Sequence, residues 1–282
     1  MKFKPYILSL ILLTSCMGQK TEKSSLSTSG ASGSGSNLTT RWPASKLPLA
    51  VKISTDFNTS TIDSYDETSG NDSIQQMMKL WNTAYDAGTL YNFNAGYIAN
   101  YEPALADSYN DSTVGIYLLN SWPAEFKAEA LAVTQYWAQE IFSPTGNYYE
   151  IIHGDILVNY EYYNYSAAAS GVTYKYDFPT VILHELGHLV GLKHVSKSLA
   201  PSIMLSTLGT DEVKRQVYTI DKELINTIYE DTALTAEDPV LGKFSKSEDA
   251  PQKRGNVYRG VIELMPSGKC LHYLNGKLVE EH

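Results

Sequence analysis

The sequence predicts a main domain of the α+β class, α/β-like in that strands and helices interleave, and three observations carry this. Short strand candidates alternate with three helix candidates along the chain. Apolar residues make up 43% and charged residues 19%, the balance of a protein with a sizeable core. The 282 residues suffice for one large domain and a small appendage.

The chain begins MKFKPYILSLILLTSC. Lys2 and Lys4 precede an apolar run over 6–13 that is too short to span a bilayer, the pattern of a secretory signal over residues 1–15. Its end, Leu13-Thr14-Ser15-Cys16, resembles the lipobox of bacterial lipoproteins. That resemblance implies cleavage before Cys16 and a lipid on Cys16 as membrane anchor. Met17 stands where inner-membrane lipoproteins carry aspartate, which points to the outer membrane. Residues 16–40 are rich in Ser, Thr and Gly and cannot bury enough apolar surface to offset their ordering entropy, so a flexible tether is expected. With two cysteines only, Cys16 and Cys270, a disulfide framework is not what stabilises this fold, and Cys270 is expected in a core.

Residues 41–231 form the expected domain. LPLAVKI over 47–53 reads as a first strand. A helix is predicted over 73–87, with Ser73 as cap and Gln76 completing a capping box. Ile74, Met77, Met78, Trp81, Ala84 and Tyr85 share one face of it. Strands are predicted over 113–119 and 151–160. A second helix should start near Asp177, with Pro179 in its first turn, and stop at Gly191. A third should run over 220–229 behind Thr219, with Leu224, Ile225 and Ile228 facing inward. Residues 232–282, with their Gly, Pro and Lys, read as a small C-terminal module with strands over 257–264 and 270–278.

The formal charge of −9 becomes more negative once Lys2 and Lys4 are removed with the signal. Such a surface repels polyanions, which excludes nucleic acid as a partner; a monomer is expected.

Residues 184–194 read HELGHLVGLKH. On a helix, positions i and i+4 share a face, so His184 and His188 can aim two imidazoles at one point. Gly191 can take positive φ and turn the chain sharply, which lets His194 swing back as a third ligand. Three neutral imidazoles with one open position describe a catalytic zinc site, whereas a closed structural site takes four protein ligands. Glu185, beside that point, is the candidate general base for a metal-bound water. Three of the six histidines lie in this stretch.

HELGHLVGLKH resembles the metzincin signature HExxHxxGxxH, and Pro201-Ser202-Ile203-Met204 resembles the Met-turn of that clan. Within it the likeness is closest to matrixins, through Asp177 seven residues before His184, the turn at Met204 and a closing helix that ends Ile225-Asn226-Thr227-Ile228-Tyr229. The resemblance implies a zinc endopeptidase with a twisted, mostly parallel sheet, three helices and zinc at the floor of a cleft. It places Met204 beneath the metal without ligating it, and sets the strand over 154–159 along the cleft to pair with an extended peptide. Val195 follows the third histidine where matrixins place serine. Structural calcium is a further expectation, with Asp107, Asp111 and Asp155 as candidates. Two other functions fit the same motif: an inactive zinc-binding or adhesive lipoprotein, and a hydrolase of peptidoglycan cross-links.

Overall fold

A computed structural model describes residues 38–143, 146–170, 174–195, 201–233, 253–266 and 271–281. Cys16, Cys270 and the signal over 1–15 lie outside them. The elements in chain order are β1 (Thr39–Arg41), β2 (Lys52–Ser54), α1 (Ser73–Ala84), β3 (Tyr97–Ile98), β4 (Gly115–Leu119), β5 (Ala132–Phe142), β6 (Tyr148–Asn159), β7 (Tyr165–Ser166), β8 (Tyr176–Asp177), α2 (Phe178–Leu189), α3 (Thr219–Ala233), β9 (Lys253–Leu264), β10 (Leu271–Leu274) and β11 (Lys277–Glu281). Among the described residues no helix is long and apolar enough to cross a membrane.

One nine-stranded sheet runs β11-β10-β9-β5-β6-β4-β2-β3, with β1 added beside the first residues of β6. The half from β6 to β3 is parallel, and the half from β5 to β11 is antiparallel. The α+β class with three helices therefore holds, and the antiparallel half comes from β5 and the C-terminal strands. The segment expected as an appended module extends this same sheet.

Side chains on the helix-facing side of the sheet meet α1 and α2 in the larger core, among them Trp42, Met78, Trp81, Ile156, Leu183 and Leu186. The other face is covered by the 3-10 turn at 106–109 and by Trp122 and Phe126, over Tyr117, Val133, Trp137 and Leu157. Alternation along β5 serves both layers: Ala132 and Tyr136 face the helices, Val133 and Trp137 the other side.

Several boundaries differ from those predicted. Asp72, not Ser73, caps α1: its carboxylate accepts the Ile74 and Gln75 amides at 2.8 and 3.3 Å. Ser73 instead turns its hydroxyl to the Asp66 amide, which pins the preceding loop. The first strand shortens to β2, with Leu49 in an isolated bridge to Tyr91. Thr39 and Thr40, expected in the tether, pair with Tyr148 and Tyr149. β6 is an interior strand between β5 and β4, so residues 154–159 have no free edge for an incoming peptide. β5, which the sequence reading missed, takes the position next to α2.

α2 begins as predicted, with Asp177 accepting the Thr180 amide and Pro179 in the first turn. All of its residues are buried. Its C-terminal end closes by two backbone bonds, Leu192 N–H to Gly187 O at 3.0 Å and Gly191 N–H to His188 O at 2.8 Å. This is the six-to-one and five-to-two pairing of a Schellman turn, with Gly191 at φ +97. Gly191 has a second reason to be glycine: a Cβ there would stand 2.0 Å from the Thr40 carbonyl oxygen. Gly191→Ala should therefore cost about 3 kcal/mol or more in urea unfolding. Gly70→Ala, at φ +82 with nothing within 4 Å of its Cβ, should cost about 1 kcal/mol. Equal losses would mean that the contact with β1 contributes nothing.

Candidate metal centre

α2 presents His184 and His188 on one face, and the turn at Gly191 returns His194 to them. The three Nε2 atoms lie 2.9, 3.0 and 3.2 Å apart. Nitrogens 2.0–2.1 Å from a tetrahedral zinc stand about 3.3 Å apart, so the triangle is close to the size zinc requires. His184 Nδ1 is 2.7 Å from Ile203 O and His188 Nδ1 is 2.8 Å from Leu192 O. A carbonyl only accepts, so both Nδ1 atoms carry protons and both Nε2 atoms face inward as lone pairs. Burial, opposed by the bond to Ile203, holds His184 down at about 4, hence neutral near pH 7. Lone pairs gathered at this spacing repel one another unless a cation sits between them. The donor set therefore fits a metal, and it is the one such cluster among the described residues.

Glu185 follows His184 and is fully buried. Its Oε2 accepts the Thr134 hydroxyl at 2.5 Å, while Oε1 has no partner among the described residues. Burial lifts this carboxyl to about 8, against the pull of Thr134. A dication nearby would favour the carboxylate again. The arrangement is a buried acid with one oxygen anchored and one available.

Met204 is buried against α2 at Gly187: a Cβ on Gly187 would come within 2.4 Å of the Met204 sulfur and 2.8 Å of Trp81. The turn that carries Met204 is fixed by Asp221 of α3, whose carboxylate accepts the Ser202 hydroxyl and the Ile203 and Tyr218 amides. It is the Ile203 carbonyl on this turn that orients His184. Past the turn, Arg215 binds the Asp177 carboxylate and Lys214 N–H donates to Thr180 Oγ at 2.8 Å, tying the loop after Met204 to the start of α2.

Thr134, Asp221 and Arg215 are the parts of the site that sequence reading missed. Thr134 had a local signal in the β-branched and aromatic run of β5. Asp221 is an acid in the first turn of a helix, a common position that says nothing of which turn it will clamp. The calcium candidates do not come together. Asp155 binds His153 at 2.8 Å and the Gly115 amide at 2.9 Å, Asp107 pairs with Arg259, and Asp111 accepts the Thr113 amide.

No curated protein matches the chain. Residues 107–230, which hold β4 through α2, most of α3, the three histidines, Glu185 and Met204, match the family model for matrixins, so the matrixin resemblance carried by His184 to His194 stands.

Proposed function

We propose that this chain is a zinc-dependent endopeptidase that hydrolyses peptide bonds of proteins outside the cytoplasm, held at the bacterial outer membrane by a lipid on Cys16. The observation that carries the reading is three Nε2 atoms gathered at metal-ligand spacing, with the next residue of the helix, Glu185, buried and holding one carboxylate oxygen uncommitted. His184, His188 and His194 would hold the metal, and Met204 packs against the helix that carries the first two of them. Bound zinc supplies an acidified water and polarises the peptide carbonyl.

With the metal bound, Glu185 would accept a water proton at Oε1 and deliver it to the leaving nitrogen. Thr134 anchors Oε2, which leaves Oε1 for that proton. The buried setting raises the proton affinity of Glu185, which suits a group that must keep a proton between two steps. An adhesive or merely zinc-binding protein has no use for a buried carboxylate held in this way, and keeping one costs stability.

One zinc should bind per chain and stabilise it, by about 2.7 kcal/mol at a free concentration of 100 times Kd. His188→Ala should abolish both effects. Glu185→Ala should keep the metal, measured by elemental analysis, while cleavage of casein falls about 10²- to 10⁴-fold. Undiminished cleavage would remove Glu185 from the mechanism, and digestion of purified cell wall but not of protein would favour the peptidoglycan reading. Thr134→Val should lower kcat about tenfold at unchanged KM, and Thr134→Ser should restore it. A loss that serine does not rescue would reduce Thr134 to packing. Cys16→Ser should move the protein from the detergent phase to the aqueous phase on phase partition, and no movement would end the anchor proposal.

A further inference from the structure

A peptide cut at this site must lie extended past the three histidines, with its backbone paired to whatever edges flank them. Two backbone edges do so. On one side is the edge of β5 that faces away from β6, where Thr134 touches Glu185. On the other is the segment after Met204, around Thr207 and Leu208. Both edges are already paired, and with one stretch of the same chain.

β9 lies antiparallel along β5, with Thr134 opposite Ile262, Val133 opposite Glu263 and Ala132 opposite Leu264. Leu131 N–H donates to Leu264 O at 2.8 Å. One residue on, Met265 forms a parallel bridge with Thr207, and Leu208 N–H donates to Met265 O at 3.2 Å. Residues opposite one another in a sheet point to the same face, so Ile262 shares the face of Thr134, towards Glu185. Two residues on, Leu264 returns to that face. It is 1% exposed and helps to line a small cavity with His184, Ile203, Leu205 and Leu208. An extended segment clamped on both sides, with an aliphatic side chain seated beside a metal-ligating histidine, is placed as a bound peptide is placed.

We propose that residues 260–265 are the site's own peptide ligand: they occupy the substrate groove with Leu264 in its side-chain cavity, so the C-terminal strand keeps the site closed until another peptide displaces it. This rests on the endopeptidase reading of the histidine triad and Glu185. An attached segment competes at a local concentration on the order of mM even through a flexible link, so peptides of ordinary affinity are excluded while it is in place.

The test uses the full chain with zinc bound, in a Glu185→Ala background so that nothing is cut. The probe is a fluorescent synthetic peptide with the sequence YRGVIELMPS of residues 258–267, followed by anisotropy. Leu264→Asp, which puts a charge in the cavity and should weaken the strand's hold on the groove, is expected to bind the probe at least tenfold more tightly than the Leu264 protein. Leu278→Asp, on exposed β11, should leave affinity unchanged. A scrambled peptide should bind none of them. If circular dichroism shows Leu264→Asp to be unfolded, Leu264→Ala takes its place, and hydrogen exchange on the unaltered chain should show β9 amides exchanging faster with excess probe than without.

Equal affinity for folded Leu264→Asp and its parent, or β9 exchange indifferent to the probe, overturns the proposal. Failure of the endopeptidase reading looks different. If zinc binds and Leu264→Asp gains affinity, but no form with Glu185 intact cleaves any peptide, the closing strand stands and the peptidase does not.

Discussion

The turn at Gly191 is the constraint on which the rest of the site depends. A fully buried helix that stops inside a protein leaves its last carbonyls without partners, and each costs about 1–3 kcal/mol if nothing donates to it. Here the turn satisfies Gly187 and His188 by backbone, Trp42 Nε1 reaches Leu189 O at 2.7 Å, and the Tyr229 hydroxyl reaches Val190 O at 3.1 Å. Donors from the segment after β1, from α3 and from the turn itself thus converge on four successive carbonyls. Trp81 of α1 adds a bond to Leu183 O and Tyr91 one to Leu186 O. α2 is therefore fixed in depth and rotation by the same groups that end it. The histidines inherit that precision, because His188 Nδ1 donates to Leu192 O within the turn and His194 follows it by two residues.

Two buried acids show how the fold separates support from chemistry. Burial raises both Asp221 and Glu185 above the usual carboxylate range. Around Asp221 the opposing forces are several: the Ser202 hydroxyl and the Ile203 and Tyr218 amides all donate to it. These donors offset part of the cost of burial, and the work of Asp221 is to hold the turn that carries Met204 and orients His184. Glu185 has a single donor, Thr134, and one oxygen without a partner. The fold thus surrounds one carboxylate with donors and leaves the other, next in sequence to His184, half-satisfied.

The helix that carries His184 and His188 was legible because its pattern is local. The spacing of His184 and His188, the cap at Asp177 and the need for glycine at 191 are all set within a few residues, and the structure places each as the sequence implies. Met204 was read from the likeness of Pro201-Ser202-Ile203-Met204 to a Met-turn, and it is buried against Gly187. Thr134 and Asp221 were not legible, since each acts on a group 51 or 19 residues away and nothing in their own neighbourhood names that partner. The cap of α1 failed for a smaller reason. Asp72 and Ser73 are adjacent and both can cap, and the choice fell to tertiary contacts: the Tyr65 hydroxyl binds Asp72 and the Asp66 amide binds Ser73. Strand register suffered most. The alternation in residues 257–264 announces a strand, but pairing is a property of two segments and only one of them had been found.

One signal in that strand bears directly on its role. Val261, Ile262, Leu264 and Met265 are apolar on both faces, and all are buried in the structure. A strand at a wet edge shows one polar face, whereas this one reads as an interior strand, which is where it lies, between β5 and β10. Ile262 and Leu264 join the core over the helices, while Val261 and Met265 join the core on the opposite side. Pulling residues 261–265 away would therefore open both cores at once and leave the β5 edge unpaired, a combination no folded protein tolerates for long. Opening the groove is then an exchange in which an incoming strand replaces the outgoing one on the same edge. Such an exchange selects against short or polar peptides, because only an apolar strand of similar length restores what the displaced one had buried.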